Sequence, residues 1–170
     1  MLSKLLLLIK DLPHEAITLI IAALPLAELR GSIPVALLTL KEPIAKTFIL
    51  SVIGNLLPII PFLLLLEPLS EKLRHFRLWR NFFDYLFEQT KKKAALIEKY
   101  EAVGLMLFVA VPLPMTGAWS GCIAASLFKI RFRYALLAIT LGVIIAGVIV
   151  TAVTLIGKGI FIKLFLAPTA

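Results

Sequence analysis

The sequence predicts an all-α integral membrane protein of two inverted repeats, each a re-entrant helical hairpin followed by a transmembrane helix. Three observations carry that prediction. First, 61% of the 170 residues are hydrophobic and the mean hydropathy is +1.01. Soluble domains sit near half apolar, so the excess requires lipid as its solvent. Second, the runs 47–66, 102–128 and 134–157 contain no Asp, Glu, Lys or Arg, and each reaches the roughly 20 residues a helix needs to cross a bilayer. Third, two apolar segments, 16–40 and 102–128, are broken near their middles by prolines and glycines, and each precedes an uninterrupted run.

In chain order, residues 1–12 hold a short Leu-rich stretch between Lys4 and Lys10, too short to span and suited to lying on the bilayer surface. A cleavable signal is not expected, because Asp11, Pro13 and Glu15 follow that stretch directly. Segment 16–40 carries Glu28 and Arg30 at its centre. As one straight span, its twelve Leu, Ile and Val residues contribute about −4 to −7 kcal/mol against about +5 to +7 for two central charges. Pro25 and Pro34 weigh further against a straight rod. Gly31 and Ser32, between them, are the expected point of reversal, followed by a new helix N-terminus. Two arms of about 12 residues, roughly 18 Å each, reach the bilayer middle and return. Irregular backbone at that depth must be buried in protein or line a watery cavity.

The first expected span is 47–66, with Ser51, Gly54 and Asn55 on one side and with Pro58 and Pro61 expected to kink or loosen it. Asn55 fits either an inter-helix hydrogen bond or a contact with the tip or cargo. Residues 67–101 hold eight Lys and Arg, and their apolar residues recur at spacings of three and four. That pattern predicts an amphipathic helix on cytoplasmic headgroups joining the repeats. The second hairpin, 102–128, is broken by Pro112, Pro114, Thr116, Gly117, Ser120 and Gly121. The second span, 134–157, carries Ala138, Gly142 and Ala146 four apart, a face suited to close helix contact and to a homodimer. A basic-apolar tail, 158–170, follows.

If both hairpins return to the side they enter from, each unit crosses the membrane once and the second copy starts on the opposite side. Secondary transporters built this way bind cargo at broken helices near the midplane. The basic residues place 67–101 in the cytoplasm whether the interrupted segments are hairpins or full spans. The net charge of +8 therefore addresses membrane lipids and not nucleic acid, since Lys and Arg cluster between apolar runs.

Arg30 offers a fork suited to phosphate or carboxylate. The N-terminus of each second arm offers backbone N–H groups to an anion near Gly31, Ser32, Gly117 and Ser120. Glu28 at low dielectric is suited to carrying a coupling proton; a structural Glu28–Arg30 pair is the alternative. Trp119 either caps the cargo pocket or packs. An enzyme is not expected: His14 and His75 fall outside both interrupted segments, leaving Ser120 without a base. No metal-ligand cluster or cofactor motif is present in the sequence, and the lone Cys122 reads as a small packing residue.

The motifs Glu28-Leu-Arg30-Gly31-Ser32-Ile-Pro34, Gly54-Asn55 and Phe108-Val-Ala-Val-Pro112-Leu-Pro114-Met-Thr116-Gly117-Ala-Trp119 resemble the small multidrug export family, considered a relative of the DedA/VTT membrane proteins. The resemblance covers roughly residues 16–157, with Met115 standing where the pattern has glycine. It implies two re-entrant loops, a multi-pass protein of the prokaryotic inner membrane, and proton-linked transport of small molecules or translocation of anionic lipid carriers such as polyprenyl phosphates. A four-span drug/proton antiporter and a non-transporting membrane scaffold are the competing expectations.

Overall fold

The computed structural model describes residues 12–73, 102–113 and 116–165. The expected interfacial segment before Leu12, the surface helix beyond Leu73, Pro114, Met115 and the end of the tail lie outside the described residues. Among the described residues every regular element is helical: α1 (His14–Ala23), α2 (Glu28–Pro34) continued by a π-turn (Val35–Thr39), α3 (Ile44–Leu73), α4 (Ala102–Ala110), α5 (Ala118–Leu127) and α6 (Phe132–Phe165). Within α3 and α6, Ile44–Leu66 and Phe132–Lys158 are long and apolar enough to cross a membrane. Their outward residues, among them Ile49, Ile53, Leu57, Leu64, Leu137, Leu141, Val148 and Val153, are large, apolar and exposed, a surface matched to lipid tails.

The chain divides into two compact units, residues 1–54 with 147–170 and residues 55–146. In the first unit, α1 and α2 form a hairpin. Pro13 precedes α1, and its carbonyl accepts the Ala16 and Ile17 N–H groups at 2.9 and 3.2 Å. The helix stops at Leu24, which is extended (φ −72°, ψ 134°), because the following Pro25 disfavours the α region for its predecessor. The chain turns over Leu24–Ala27, and α2 starts at Glu28. The reversal thus lies ahead of Gly31 and Ser32, where it was expected. Both are inside the second arm, and the Gly31 N–H donates to Ala27 O at 2.8 Å. A glycine is needed there for closeness: a Cβ would sit 2.8 Å from Ala27 Cβ and 3.3 Å from Ile21 Cγ2 of the facing arm.

Pro34 sets the winding of the rest of this arm. It has no N–H to close onto the carbonyl one turn back, and its ring crowds that turn. The next turn widens into the π form, with Leu40 N donating to Val35 O (3.0 Å) and Glu42 N to Ala36 O (2.9 Å). Left-handed Lys41 (φ 57°) then ends the arm. The next helix, α3, runs unbroken through Pro58 and Pro61 and past the expected end at Leu66. It lies against the first arm at Gly54, where a Cβ would meet Leu19 O at 2.7 Å and Leu19 Cα at 2.9 Å. Gly147 of α6 lies against the Phe48 ring.

The second unit repeats the plan. The arms α4 and α5 form its hairpin. Gly121 of α5 packs on Val109 and Ile139, and Gly142 of α6 packs on Met106 O at 2.7 Å and Val109 Cβ at 2.7 Å. The second arm ends with Lys129 N donating to Ser126 O and Ile130 N to Ala125 O, around left-handed Lys129 (φ 53°). This is the Schellman closure of a helix.

Several of these features recur 88 residues apart. Left-handed Lys41 matches Lys129, the starts of α3 and α6 match at Ile44 and Phe132, and Gly54 matches Gly142. Within the hairpins Gly31 packs on Ile21 as Gly121 packs on Val109. The stretch from Gly31 to Lys41 is two residues longer than that from Gly121 to Lys129, and the π-turn lies within the longer one.

Candidate functional site

At the first tip the turn exposes Leu26 almost completely (98%) while the next residue but one, Glu28, is only 7% exposed. Glu28 also adopts φ 47°, a left-handed conformation that costs a residue with a Cβ about 1 kcal/mol or more. The carboxylate is thus tucked inward at a strained position. Arg30 is half-buried, Ser32 is fully buried and Pro34 is half-buried. Glu28 and Ser32 are four residues apart on one helix and share a face. The Gly31 N–H, expected to face an anion, is instead engaged within the arm with Ala27 O.

The hairpin is tied at its base. Lys46 Nζ donates to Glu15 Oε1 at 2.6 Å and pairs with Glu42 Oε2 at 2.8 Å, and His14 Nδ1 lies 3.3 Å from Glu42 Oε1. The hydrogen bond and charge of Lys46 hold the Glu15 carboxyl below its ordinary range. These contacts join the start of the first arm to the start of α3, so segment 14–42 leaves and returns at one place.

Along α3, Thr47, Ser51 and Asn55 fall at four-residue steps on one face, 1%, 0% and 1% exposed. Thr47 Oγ1, Ser51 Oγ and Asn55 Oδ1, together with Ser32 Oγ on α2, have no hydrogen-bond partner among the described residues. The matching positions of α6, 88 residues on, are Ala135, Ile139 and Val143, all buried and apolar. One repeat therefore carries a buried polar stripe where the other carries hydrocarbon. Sequence reasoning found Ser32, Ser51 and Asn55 but missed Thr47; the four-residue spacing along α3 was the available signal.

At the second tip, Thr116 staples the loop. Its hydroxyl lies 2.6 Å from Val111 O and 2.8 Å from Leu113 O, and accepts the Leu113 N–H at 3.0 Å. Gly117 precedes α5 with φ 147° and ψ −167°, a conformation essentially reserved for glycine. Ser120 Oγ donates to Gly117 O at 3.2 Å, and half-buried Trp119 meets Phe62 of α3 with ring centroids 4.8 Å apart, tilted by 54°. That aromatic contact favours packing for Trp119 and is worth about 0.5–1.5 kcal/mol. Pro112 is half-buried. The first turn of α5, Ala118–Ser120, carries the backbone N–H groups expected at an arm's N-terminus. Cys122 is buried in α5. Among the described residues no group of His, Cys, Asp or Glu is arranged to hold a metal ion.

The first tip thus presents a buried carboxylate and, two residues on, a half-buried arginine; the second presents a stapled glycine turn opening a helix. Neither curated proteins nor solved structures include any similar enough to match. One family does match, over residues 28–149, a span that starts at Glu28 and takes in the second tip, the first long apolar helix and most of the second. This chain belongs to the family described as putative small multi-drug export protein.

Proposed function

We propose that this protein is a proton-coupled membrane exporter in which Glu28 carries the proton and Arg30 holds an anionic group of the cargo. The observation that carries this reading is Glu28 itself, a carboxylate 7% exposed at a strained left-handed position on the tip of an apolar hairpin. An acidic group kept at such a place is a functional candidate by default. The family name supplies the export class, and the α5 N-terminus behind Gly117 offers a second place where an anion is favoured. In this reading both hairpins are re-entrant and the two repeats are inverted. The 88-residue recurrence supports the repeat, and arms of 9 to 12 residues, about 14–18 Å long, match half a bilayer. The base of the second hairpin, with Lys129, Arg131 and Arg133 and no acid between them, is assigned to the cytoplasm.

The test uses proteoliposomes with a trapped pH dye, an imposed proton gradient, and either a short-chain polyprenyl phosphate or the cation ethidium outside. Wild-type protein is expected to release protons with the phosphate, and Glu28→Gln and Arg30→Ala to lose that release. Wild-type rates in both variants would remove the two roles; a response to ethidium alone would favour a drug/proton antiporter. The four-span arrangement is weighed against by the meeting of His14 and Glu42. Single cysteines at Lys41 and Lys129 on a Cys122→Ala background test it: hairpins put the two labels on opposite sides of the membrane, four spans on the same side.

A further inference from the structure

We propose that Thr47, Ser51 and Ser32 line a hydrated path along the first hairpin by which protons reach Glu28 from the membrane surface at its base. The inference rests on the proton role of Glu28 argued above.

The three hydroxyls are buried to within 1%, and their oxygens have no partner among the described residues. Helical hydroxyls ordinarily avoid that state by bonding back to the carbonyl four residues earlier. Others in this chain do so: Thr18 to His14 O, Thr151 to Gly147 O and Thr154 to Val150 O, at 2.7 to 2.9 Å. Thr47 and Ser51 are on a helix with the same option and do not take it. A buried hydroxyl left unbonded costs about 1–3 kcal/mol, and water is the usual partner of such groups.

Their heights along the hairpin make them a file. Measured from the connection at residues 40–44 at about 1.5 Å per residue, Thr47 stands about 4.5 Å up, Ser51 about 10.5 Å, Ser32 about 12 Å and Glu28 about 18 Å. Along the axis the steps are about 6 Å or less, and one water accepting from one oxygen and donating to the next spans about 5.6 Å, so one or two waters fill each step. Ser51 matches Ile139, 88 residues on, so the first repeat has a buried hydroxymethyl where the second has a butyl group. Oxygens strung out along an axis suit a water file better than the convergent cage a metal cation needs.

The ionisable groups with described side chains in this unit are Glu28 and Arg30 at the tip, His14, Glu15, Lys41, Glu42 and Lys46 at the base, and Lys158 on α6. By the same measure Arg30, about 15 Å up, stands between Ser32 and Glu28; no ionisable group of the hairpin or of α3 stands between Thr47 and Ser32, so a proton passing the middle has hydroxyls and water as its carriers.

The experiment is a pH jump on full-length protein in liposomes, following the infrared carboxyl band that Glu28→Gln abolishes. Ser51→Ile copies the second repeat, Ser51→Ala and Thr47→Val remove hydroxyls at nearly constant volume, and thermal melting confirms that each variant folds. The expected result is protonation of Glu28 slowed about tenfold or more, with the end point of the titration kept. Unchanged rates in Ser51→Ile and in the Ser51→Ala, Thr47→Val double variant would overturn the path while leaving Glu28 as the proton carrier. A wild-type band that does not titrate would remove the proton role of Glu28 and the path with it.

Discussion

Replacing Gly54 by alanine asks how tightly the first hairpin is held to α3. The added Cβ would lie 2.7 Å from the carbonyl oxygen and 2.9 Å from the Cα of Leu19, and 3.0 Å from Ala22 Cβ. Two of these atoms are backbone, so no rotamer change relieves the contact and the helices must part by about half an ångström. Overpacking of this kind costs about 1–3 kcal/mol, and the rigidity of the neighbour argues for the upper end. Alanine recovers up to about 1 kcal/mol of helix propensity, leaving a net loss near 2 kcal/mol. Gly157 is the control: a Cβ there meets nothing within 4 Å, so Gly157→Ala keeps the propensity gain without the clash. The two variants should differ by about 3 kcal/mol, or roughly 6–12 °C in melting temperature for a chain of this size. Gly142→Ala, against Met106 O, should behave like Gly54→Ala. Gly147→Ala should fall between, because its neighbour at 2.8 Å is the movable ring of Phe48. Thermal unfolding in dodecyl maltoside followed by far-ultraviolet circular dichroism reads the series. Gly54→Ala melting with or above Gly157→Ala would refute the close backbone packing.

Three further outcomes are expected. Glu28→Gly should be more stable than Glu28→Ala by about 1 kcal/mol, because both lose the carboxylate and only glycine is at ease at φ 47°; equal melting points would show that the strain is not there. Gly117→Ala should cost about 1–3 kcal/mol, since φ 147° is closed to alanine, and a variant with unchanged melting would count against the geometry of the second tip. At the base of the first hairpin, Lys46 lowers the Glu15 pKa. The stabilisation from that depressed value is therefore full above the ordinary carboxylate pKa and fades as pH falls through the lower folded one. Melting curves at falling pH should show a component that Lys46→Gln lacks, and identical pH profiles would dismiss the pair as a tie.

The two spans were legible because length and missing charge suffice to define a membrane helix; 47–66 and 134–157 became Ile44–Leu66 and Phe132–Lys158. The extra turns were hidden because Lys46 and Arg133 look like boundaries, yet such side chains are tolerated at helix ends. The hairpins were legible through their prolines. Their turning points were less so, because glycine serves both to reverse a chain and to let two arms touch. Gly31 does the second, and Pro25, acting on Leu24, does the first. Contacts such as Lys46 with Glu15, 31 residues apart, have no local signature. The 88-residue recurrence was written in Lys41 and Lys129 but is recognisable only once both are seen left-handed, since lysine has no preference for that conformation.

The π-turn after Pro34 has a consequence of phase. One residue advances an α-helix by about 100°, so the wider turn sets how the tip is clocked against its anchor at Lys41. Because five residues of a π-turn cover about the rotation of four in an α-helix, deleting one residue from Val35–Thr39 would restore the narrower winding and leave Glu28 and Arg30 at nearly the same azimuth, whereas a deletion nearer the tip would swing them by about 100°. The arm can thus lose one residue below the tip, within Val-Ala-Leu-Leu-Thr, and keep the charged pair's bearing.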